Sequence, residues 1–399
     1  MQKLKLLASG IMLACLAWGA PAYGQSARPE LAKAANQALD RAVKQYRLMA
    51  QHLPDTLLPR STNPKDGSLV TSGSGWWCSG FYPGTLWYLY EYTKDEALKA
   101  EAEKRMALVK KEQHNTRTHD LGFMMYCSFG NAYRLTKDPA YKAVLLTSAR
   151  SLSTRFNPTV GCIKSWDHGK WKFPVIIDNM MNLELLTWAS RTSGDPSFKK
   201  IAETHANTTI KNHFREDYSS YHVVDYDPAT GAVLERVTHQ GAADSSAWAR
   251  GQVWGLYGYT MMYRETRNKA YLNQAKHIAD FVLNHPNLPE DMVPYWDFDA
   301  PGIPDAPRDA SAAAVAASAL LELSRYASGK DATRYWQAAE QMLTSLCSPA
   351  YLAKEGTNND FILMHSVGSF PHHSEVDVPL TYADYYFVEA LLRYKQWAK

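Results

Sequence analysis

Five short polar segments spaced along the chain resemble one another, and their recurrence constrains the fold more than any other feature. They are Thr93-Lys94-Asp95-Glu96-Ala97, Thr136-Lys137-Asp138-Pro139-Ala140, Ser193-Gly194-Asp195-Pro196-Ser197, Thr266-Arg267-Asn268-Lys269-Ala270 and Ser328-Gly329-Lys330-Asp331-Ala332, at spacings of 43, 57, 73 and 62 residues. Each carries turn-forming and helix N-cap residues. Each follows an apolar run ending in Tyr, Trp or Leu, such as Leu86-Trp87-Tyr88-Leu89-Tyr90. Each precedes a run such as Tyr141 to Leu152 or Tyr271 to Leu283, where apolar residues recur at three and four, the period of an amphipathic helix. The repeating unit is a helical hairpin. Arg28 to His52 supplies a leading helix and Tyr382 to Trp397 a closing one, for about twelve helices.

The first helices of the hairpins open on polar or acidic loops: Gly80-Phe81-Tyr82-Pro83-Gly84, His119-Asp120-Leu121-Gly122-Phe123, Asp178-Asn179-Met180-Met181-Asn182, Trp248-Ala249-Arg250-Gly251-Gln252, Asp309-Ala310-Ser311 and Tyr382-Ala383-Asp384. Six such starts predict six hairpins in a closed ring, an all-α (α/α)6 toroid spanning residues 25–399 as one domain. The inner helices then point their N-termini, with free N–H groups and partial positive charge, at one mouth suited to an anionic ligand. An open helical solenoid is the structural alternative; a closing helix whose loop matches the others favours the ring. Tyr221 to Tyr226 and Ala232 to Val237 flank a turn at Asp227-Pro228-Ala229-Thr230-Gly231 and predict one strand hairpin in a loop over the mouth.

Residues 1–24 do not belong to this pattern. Lys3 and Lys5 precede a short apolar stretch from Leu4 to Ala17, and Ala22-Tyr23-Gly24 places small residues for cleavage before Gln25. This is the pattern of a secretory signal peptide, and it predicts an exported, periplasmic protein. Leu13-Ala14-Cys15 is lipobox-like, but its leucine stands one place too close to the cysteine, so a lipoprotein is the lesser alternative. No other apolar run approaches the ~18 residues of a membrane span. The formal net charge of +3 excludes an electrostatic nucleic-acid binder. After the leader, Cys78, Cys127, Cys162 and Cys347 remain, with no CxxC pair and no zinc-site spacing. Buried thiols are the expectation, although export permits a disulfide.

No phosphate loop, dinucleotide fingerprint, HExxH or GxSxG motif appears. Carboxylates, aromatics, histidines and one arginine remain at the predicted mouth, and they are the tools of sugar chemistry. Asp120 and Asp178 each stand at an inner-helix start among apolar residues. Asp is a good N-cap, so capping alone would explain either one. Two facing one mouth point to catalysis instead, because burial and like charge raise the pKa of one and make it a proton donor. Asp309 and Asp384 are read as caps or structural anchors. Trp76, Trp77, Trp166, Trp248 and Trp254 lie in or beside these loops, and Trp248 and Trp254 bracket Arg250. Indole faces stack on sugar rings and Arg forks onto carboxylates. His119 and His222 lie near the same mouth, where satisfied structural histidines are the commoner case.

At these residues the sequence resembles the unsaturated glucuronyl hydrolases, glycoside hydrolase family 88. The matching stretches are Trp77 to Gly84, His119 to Phe123, Asp178 to Asn182, Trp248 to Gly255 and Pro379 to Tyr386. The resemblance implies an (α/α)6 barrel and an exo-enzyme with no metal or cofactor. Such an enzyme removes a 4,5-unsaturated uronic acid from the non-reducing end of oligosaccharides left by polysaccharide lyases. By that match Asp178 is the general acid/base that hydrates the C4=C5 enol ether, and Asp120 the second aspartate that steadies charge. Trp77, His119, Trp166, Asn182, His222, Gln240, Trp248, Arg250 and Trp254 would bind the unsaturated ring and its carboxylate. A monomer or a homodimer fits.

Family members acting on sulfated glycosaminoglycans carry a Ser-x-x-Ser-x-Lys pattern. Here Ser366-Val367-Gly368-Ser369-Phe370-Pro371 keeps the serines, which would face the next sugar, but has Pro for Lys. Histidines nearby, His365, His372 and His373, are candidates to stand in for that lysine. Chondroitin, hyaluronan and heparin-type parents stay open. The related unsaturated rhamnogalacturonyl hydrolases are the second resemblance, their pattern differing after the second aspartate. Two other classes compete: a polysaccharide lyase on an α-toroid, using Tyr or His as base, and a non-catalytic sugar-binding protein, for which paired buried aspartates are an unexplained cost.

Overall fold

The computed structural model describes residues 28–398. The predicted leader, Gln25 and Cys15 lie outside the described residues. Among those described, twelve α-helices run in chain order: α1 (Pro29–His52), α2 (Phe81–Thr93), α3 (Glu96–Val109), α4 (Asn131–Thr136), α5 (Pro139–Ser153), α6 (Leu183–Ser193), α7 (Pro196–Asn212), α8 (Ala249–Thr266), α9 (Lys269–Asn284), α10 (Ala310–Ser324), α11 (Gly329–Leu346) and α12 (Thr381–Trp397). A π-helical segment, Gly122–Gly130, leads into α4, and a 3₁₀ turn, Ile177–Asn182, leads into α6. The fold is predominantly α, as expected.

The repeated punctuation is a hinge built four times from the same parts. Lys94, Lys137, Gly194 and Arg267 end their helices in the left-handed region, with φ of 60°, 61°, 79° and 58°. The next residue, Asp95, Asp138, Asp195 or Asn268, caps the following helix by accepting from the backbone N–H two positions on. The Thr or Ser before the hinge donates back to its own helix and accepts from the N–H of the capping residue, as Thr93 does with Leu89 O at 2.8 Å and Asp95 N at 3.2 Å. The fifth copy differs: Ser328 precedes α11 without a side-chain cap bond.

The second helix of each hairpin buries one stripe, as α9 does with Tyr271, Ala275, Ile278, Ala279 and Val282. The first helices are buried far more completely, and every residue of α10 is buried. These inner elements pack on one another in sequence: α2 on the 122–130 segment, that segment on α6, α6 on α8, α8 on α10, α10 on α12, and α12 back on α2. The four cysteines after the leader are free, three of them buried.

The strands are few and short. The predicted hairpin forms as Val223–Tyr226 against Val233–Val237, but a third strand, Pro174–Ile176, joins it through Val223–Tyr226. The β-branched pair Val175-Ile176 suits a pleated, buried strand. The expected free loop is therefore tied to the segment that carries Asp178.

Candidate active site

Asp178 is placed by that sheet. Ile176 pairs with Val223, and the Ile177 N–H donates to His222 O at 3.1 Å, so the chain enters the 3₁₀ turn beside His222. The His119 N–H donates to Ser165 O at 3.2 Å and the Ser165 N–H to Pro174 O at 2.9 Å, which aligns the His119-Asp120 loop and Trp166 along the same strand. Two glycines close the gaps. A Cβ on Gly122 would lie 2.5 Å from Asn182 Cα, and one on Gly80 would lie 2.2 Å from Phe123 O. The loops carrying Trp77, Asp120 and Asp178 touch only because these positions lack side chains. Asn182 completes the joint, its Oδ1 accepting from the Phe123 N–H at 3.0 Å.

Neither aspartate is a cap. Asp178 makes no side-chain cap bond at the 3₁₀ turn, and its buried Oδ2 has no hydrogen-bond partner. Burial, with a small addition from the charge of Asp120, pushes its pKa up to about 6 against the pull of His119 and Arg250. For Asp120 burial acts upward too, but His119, the Thr118 hydroxyl and Arg155 outweigh it and hold the carboxyl below its ordinary value. Thr118 Oγ1 donates to Asp120 Oδ2 at 2.5 Å, and His119 Nε2 lies 3.1 Å from Asp120 Oδ1. Similar residues in one site are thus driven apart in acidity, one an acid and the other a fixed anion. Asp309 is a cap, accepting from the Ser311 and Ala312 N–H groups, and Asp384 is an anchor, accepting from Tyr46 and from the Ile362 and Leu363 N–H groups.

His222 has its tautomer set by the backbone. The His239 and Gln240 N–H groups both donate to its Nδ1 at 3.1 Å, so the ring proton sits on Nε2. Burial, with His239 and Arg250 nearby, lowers its pKa well below the ordinary value, so the ring is neutral. Nε2 lies 3.8 Å from Asp178 Oδ2, too far for a direct bond. Trp248 covers the ring, with centroids 4.6 Å apart. Arg250 is sandwiched by Trp248 at 4.5 Å and Tyr382 at 5.2 Å and pairs with Asp309 at 3.1 Å. Gln240 Nε2 and Arg250 Nη2 both donate to Gly368 O, at 3.0 and 2.6 Å, joining the site to the strand hairpin Ser366–Ser369 and Ser374–Val378.

Several buried polar atoms without partners lie in the predicted site, and others are scattered elsewhere among the described residues. His119 Nδ1, Trp166 Nε1, Asp178 Oδ2, Asn182 Nδ2, His222 Nε2, Arg250 Nε, Trp254 Nε1 and Ser366 Oγ all belong to predicted site residues. Each unpartnered buried polar group costs roughly 1–3 kcal/mol, so a concentration of them calls for a polar ligand. A cavity of about 440 Å³ behaves oppositely. It is lined by the same inner elements, including Glu184 in the first turn of α6, Trp188, Arg264, Glu389 and Arg393. None of its lining side chains appears among the unpaired atoms of the described residues. Arg264 alone pairs with Glu184, Glu265 and Glu322. It is an ion-paired plug and not a second mouth.

Some expectations need correction. Trp254 has no accessible surface: it is enclosed by Phe123 and Tyr386, each 5.3 Å away, because the first turn of α8 carries it inward below Arg250. It offers an N–H and no stacking face. Trp77 keeps some exposure but leans on Phe81, Phe123 and Tyr382. Ser369 sits at the rim, its hydroxyl bonded to His372 Nδ1 at 2.7 Å, away from the unpaired Ser366. Four aromatic groups went unassigned. His168 stacks on Trp166 at 5.5 Å, Trp171 meets His239 edge-on at 5.7 Å, and the buried Tyr382 OH is unpaired beside Arg250. The run from Trp166 to Trp171 was a usable signal; His239 and Tyr382 required the pairing of distant segments.

Two carboxylates of opposed acidity, set among indoles and beside an arginine, are the equipment of a glycoside hydrolase. No protein-family model matches the chain. The chain is 52% identical over 320 residues to the unsaturated glucuronyl hydrolase of Formosa agariphila, covering 79% of each. It is 34% identical over 370 residues to the unsaturated chondroitin disaccharide hydrolase of Streptococcus pneumoniae, covering 90% of this chain and 92% of that one. A solved unsaturated glucuronyl hydrolase specific for heparin superposes with a TM-score of 0.89 at 52% identity, covering 91% of this chain and 97% of that one. The chain belongs to the unsaturated glucuronyl hydrolases.

Proposed function

We propose that this hydrolase removes the 4,5-unsaturated uronic acid from the non-reducing end of glycosaminoglycan oligosaccharides produced by lyases, with heparin-type oligosaccharides ahead of chondroitin-type ones. The raised pKa of Asp178, beside Asp120 held as an anion, is the observation that carries the chemistry. The 52% identity to a heparin-specific enzyme, against 34% to a chondroitin disaccharide hydrolase, supports the substrate order. The inner elements, each with inner neighbours on both sides, support an (α/α)6 toroid in one domain over residues 25–399. The leader-like residues 1–24 support export to the periplasm.

In the reaction, protonated Asp178 delivers its proton to C4, and positive charge develops at C5 and the ring oxygen. Asp120 opposes that charge. Water adds to C5, losing its proton to the carboxylate that Asp178 has become, and a hemiketal forms. The bond from C5 to the ring oxygen then breaks, leaving a ketone at C5 and a hemiacetal at C1, which collapses and expels the remaining sugar. Proton delivery to carbon is slow and gains from a poised acid that excludes bulk water. Ile177 and Met180 are fully buried beside Asp178 and supply that exclusion. The two-carboxylate rule for direct attack at the anomeric carbon does not govern this route.

The test is the ultraviolet absorbance of the conjugated C4=C5 bond. Incubation with unsaturated heparin disaccharides should make it fall, and faster than with unsaturated chondroitin disaccharides. A flat signal on every disaccharide, with a rising one on intact polysaccharide, would mean a lyase. The pH profile should follow Asp178. The acid form exists below its pKa, so kcat/KM should decline as pH rises through about 6. At low pH activity should fall only below the ordinary carboxylate range, where Asp120 takes up its proton.

A further inference from the structure

We infer that Asp309 is a positioning residue for this reaction, because it decides which edge of Arg250 is offered to the substrate carboxylate. This rests on Arg250 as the carboxylate receptor. The guanidinium has five N–H donors. Nη1 donates to Asp309 Oδ2 at 3.1 Å and also to Val367 O, and Nη2 donates to Gly368 O at 2.6 Å. Both hydrogens of Nη1 are thereby used and one of Nη2, which leaves the Nε–H, unpartnered and buried, and one N–H of Nη2. Those two are a donor fork for a carboxylate.

Asp309 is held for this purpose. It has no accessible surface. Its Oδ1 accepts from the Ser311 N–H at 3.0 Å and from Ser311 Oγ at 2.5 Å at the start of α10, with longer contacts of 3.4 Å to the Ala312 and Val367 N–H groups. The carboxylate therefore cannot swing, and Oδ2 stays on Nη1. Trp248 and Tyr382 fix the plane of the guanidinium, and Asp309 with the two carbonyls fixes its rotation within that plane.

The experiment compares an unsaturated uronyl disaccharide with its uronate methyl ester in steady-state kinetics. The proteins are the unsubstituted enzyme, Asp309→Asn, Arg250→Lys and Ser311→Ala. Asn keeps the cap acceptor but not the charge, and Lys keeps the charge but not the fork. Asp309→Asn should raise KM for the acid by about 10- to 100-fold, the worth of a charged hydrogen bond, change kcat far less, and erode the preference for acid over ester. Ser311→Ala removes one donor to the same Asp309 while leaving its backbone cap bonds and the ion pair, and should move KM and the preference far less than Asp309→Asn does. Loss of helix capping alone would move both variants together, and that result overturns the inference. If Arg250→Lys keeps the preference, Arg250 is not the carboxylate receptor. If Arg250→Lys loses it and Asp309→Asn keeps both KM and preference, the positioning role alone is wrong. Should Asp309→Asn not fold, Asp309→Glu serves, with its carboxylate displaced by one methylene: a raised KM supports the role and an unchanged KM overturns it.

Discussion

Asp178→Asn is expected to lower kcat by about 10²–10⁴-fold, the range that a positioned acid or base contributes. Asn matches the shape of the carboxyl group but has no proton to give to C4 and no base for the attacking water. The pocket should remain formed, because the Asp178 carboxyl caps no helix and its Oδ2 has no bond in the protein to lose. Removing a carboxylate that is expensive to bury should even raise stability slightly, a gain that grows as pH rises from the ordinary carboxylate range to about 6 and levels off above it. Binding of an unsaturated disaccharide, measured by calorimetry on the inactive variant, should persist. Ordinary turnover by Asp178→Asn would remove Asp178 as the acid and transfer the role to another group, with Asp120 the first to test.

Arg264→Met is expected to lower stability by up to about 3 kcal/mol, the lower end of the range found when one partner of a buried ion pair is removed, because Arg264 and Glu184 keep some exposure. Arg264 holds Glu184, Glu265 and Glu322 together, with Glu184 in the first turn of α6. Glu184 already has its pKa pushed up to about 7 by burial, with Arg264 the main opposing influence. Without Arg264, Glu184 loses its ion partner, while Glu322 keeps Arg393 and Glu265 keeps Arg191. The loss should appear as a lower denaturant midpoint at unchanged slope. It should shrink at acid pH, where protonated Glu184 no longer needs a partner. The folded fraction should keep its KM and kcat, because the ion pairs of this network include none of Asp120, Asp178 and Arg250. A fall in kcat in fully folded protein would show that the plug is coupled to catalysis.

The hairpin repeat was legible because its signals are local. A Thr, Ser, Asp or Asn at a hinge satisfies backbone groups within four residues of itself, so the device is written in consecutive letters. The periodicity of α9, with one buried stripe, is equally local. The Tyr221–Tyr226 strand was half legible: its β character shows in its residues, but its second partner, Pro174–Ile176, lies far back in the chain and has no turn to announce it. Trp254 was misjudged for a related reason. Its spacing from Arg250 was plain, yet whether a Trp one turn deeper faces a cavity or the core depends on Phe123 and Tyr386, which arrive from other hairpins.

Local order and chemical inventory thus belong to the chain as written: helix starts and stops, the apolar stripes, and the presence of two aspartates, an arginine and several indoles at loop positions. Their chemical states belong to the packed molecule. His222 owes its tautomer to N–H groups 17 and 18 residues away, and Arg250 owes its free edge to Asp309, Val367 and Gly368, at separations of 59, 117 and 118 residues. Acidity, tautomer and donor direction are set by burial and by charges a few ångströms distant, and in a low-dielectric interior those neighbours outweigh the residue's own type. A residue's neighbours along the chain determine its helix, while its neighbours in space determine whether its carboxyl is an acid at neutral pH.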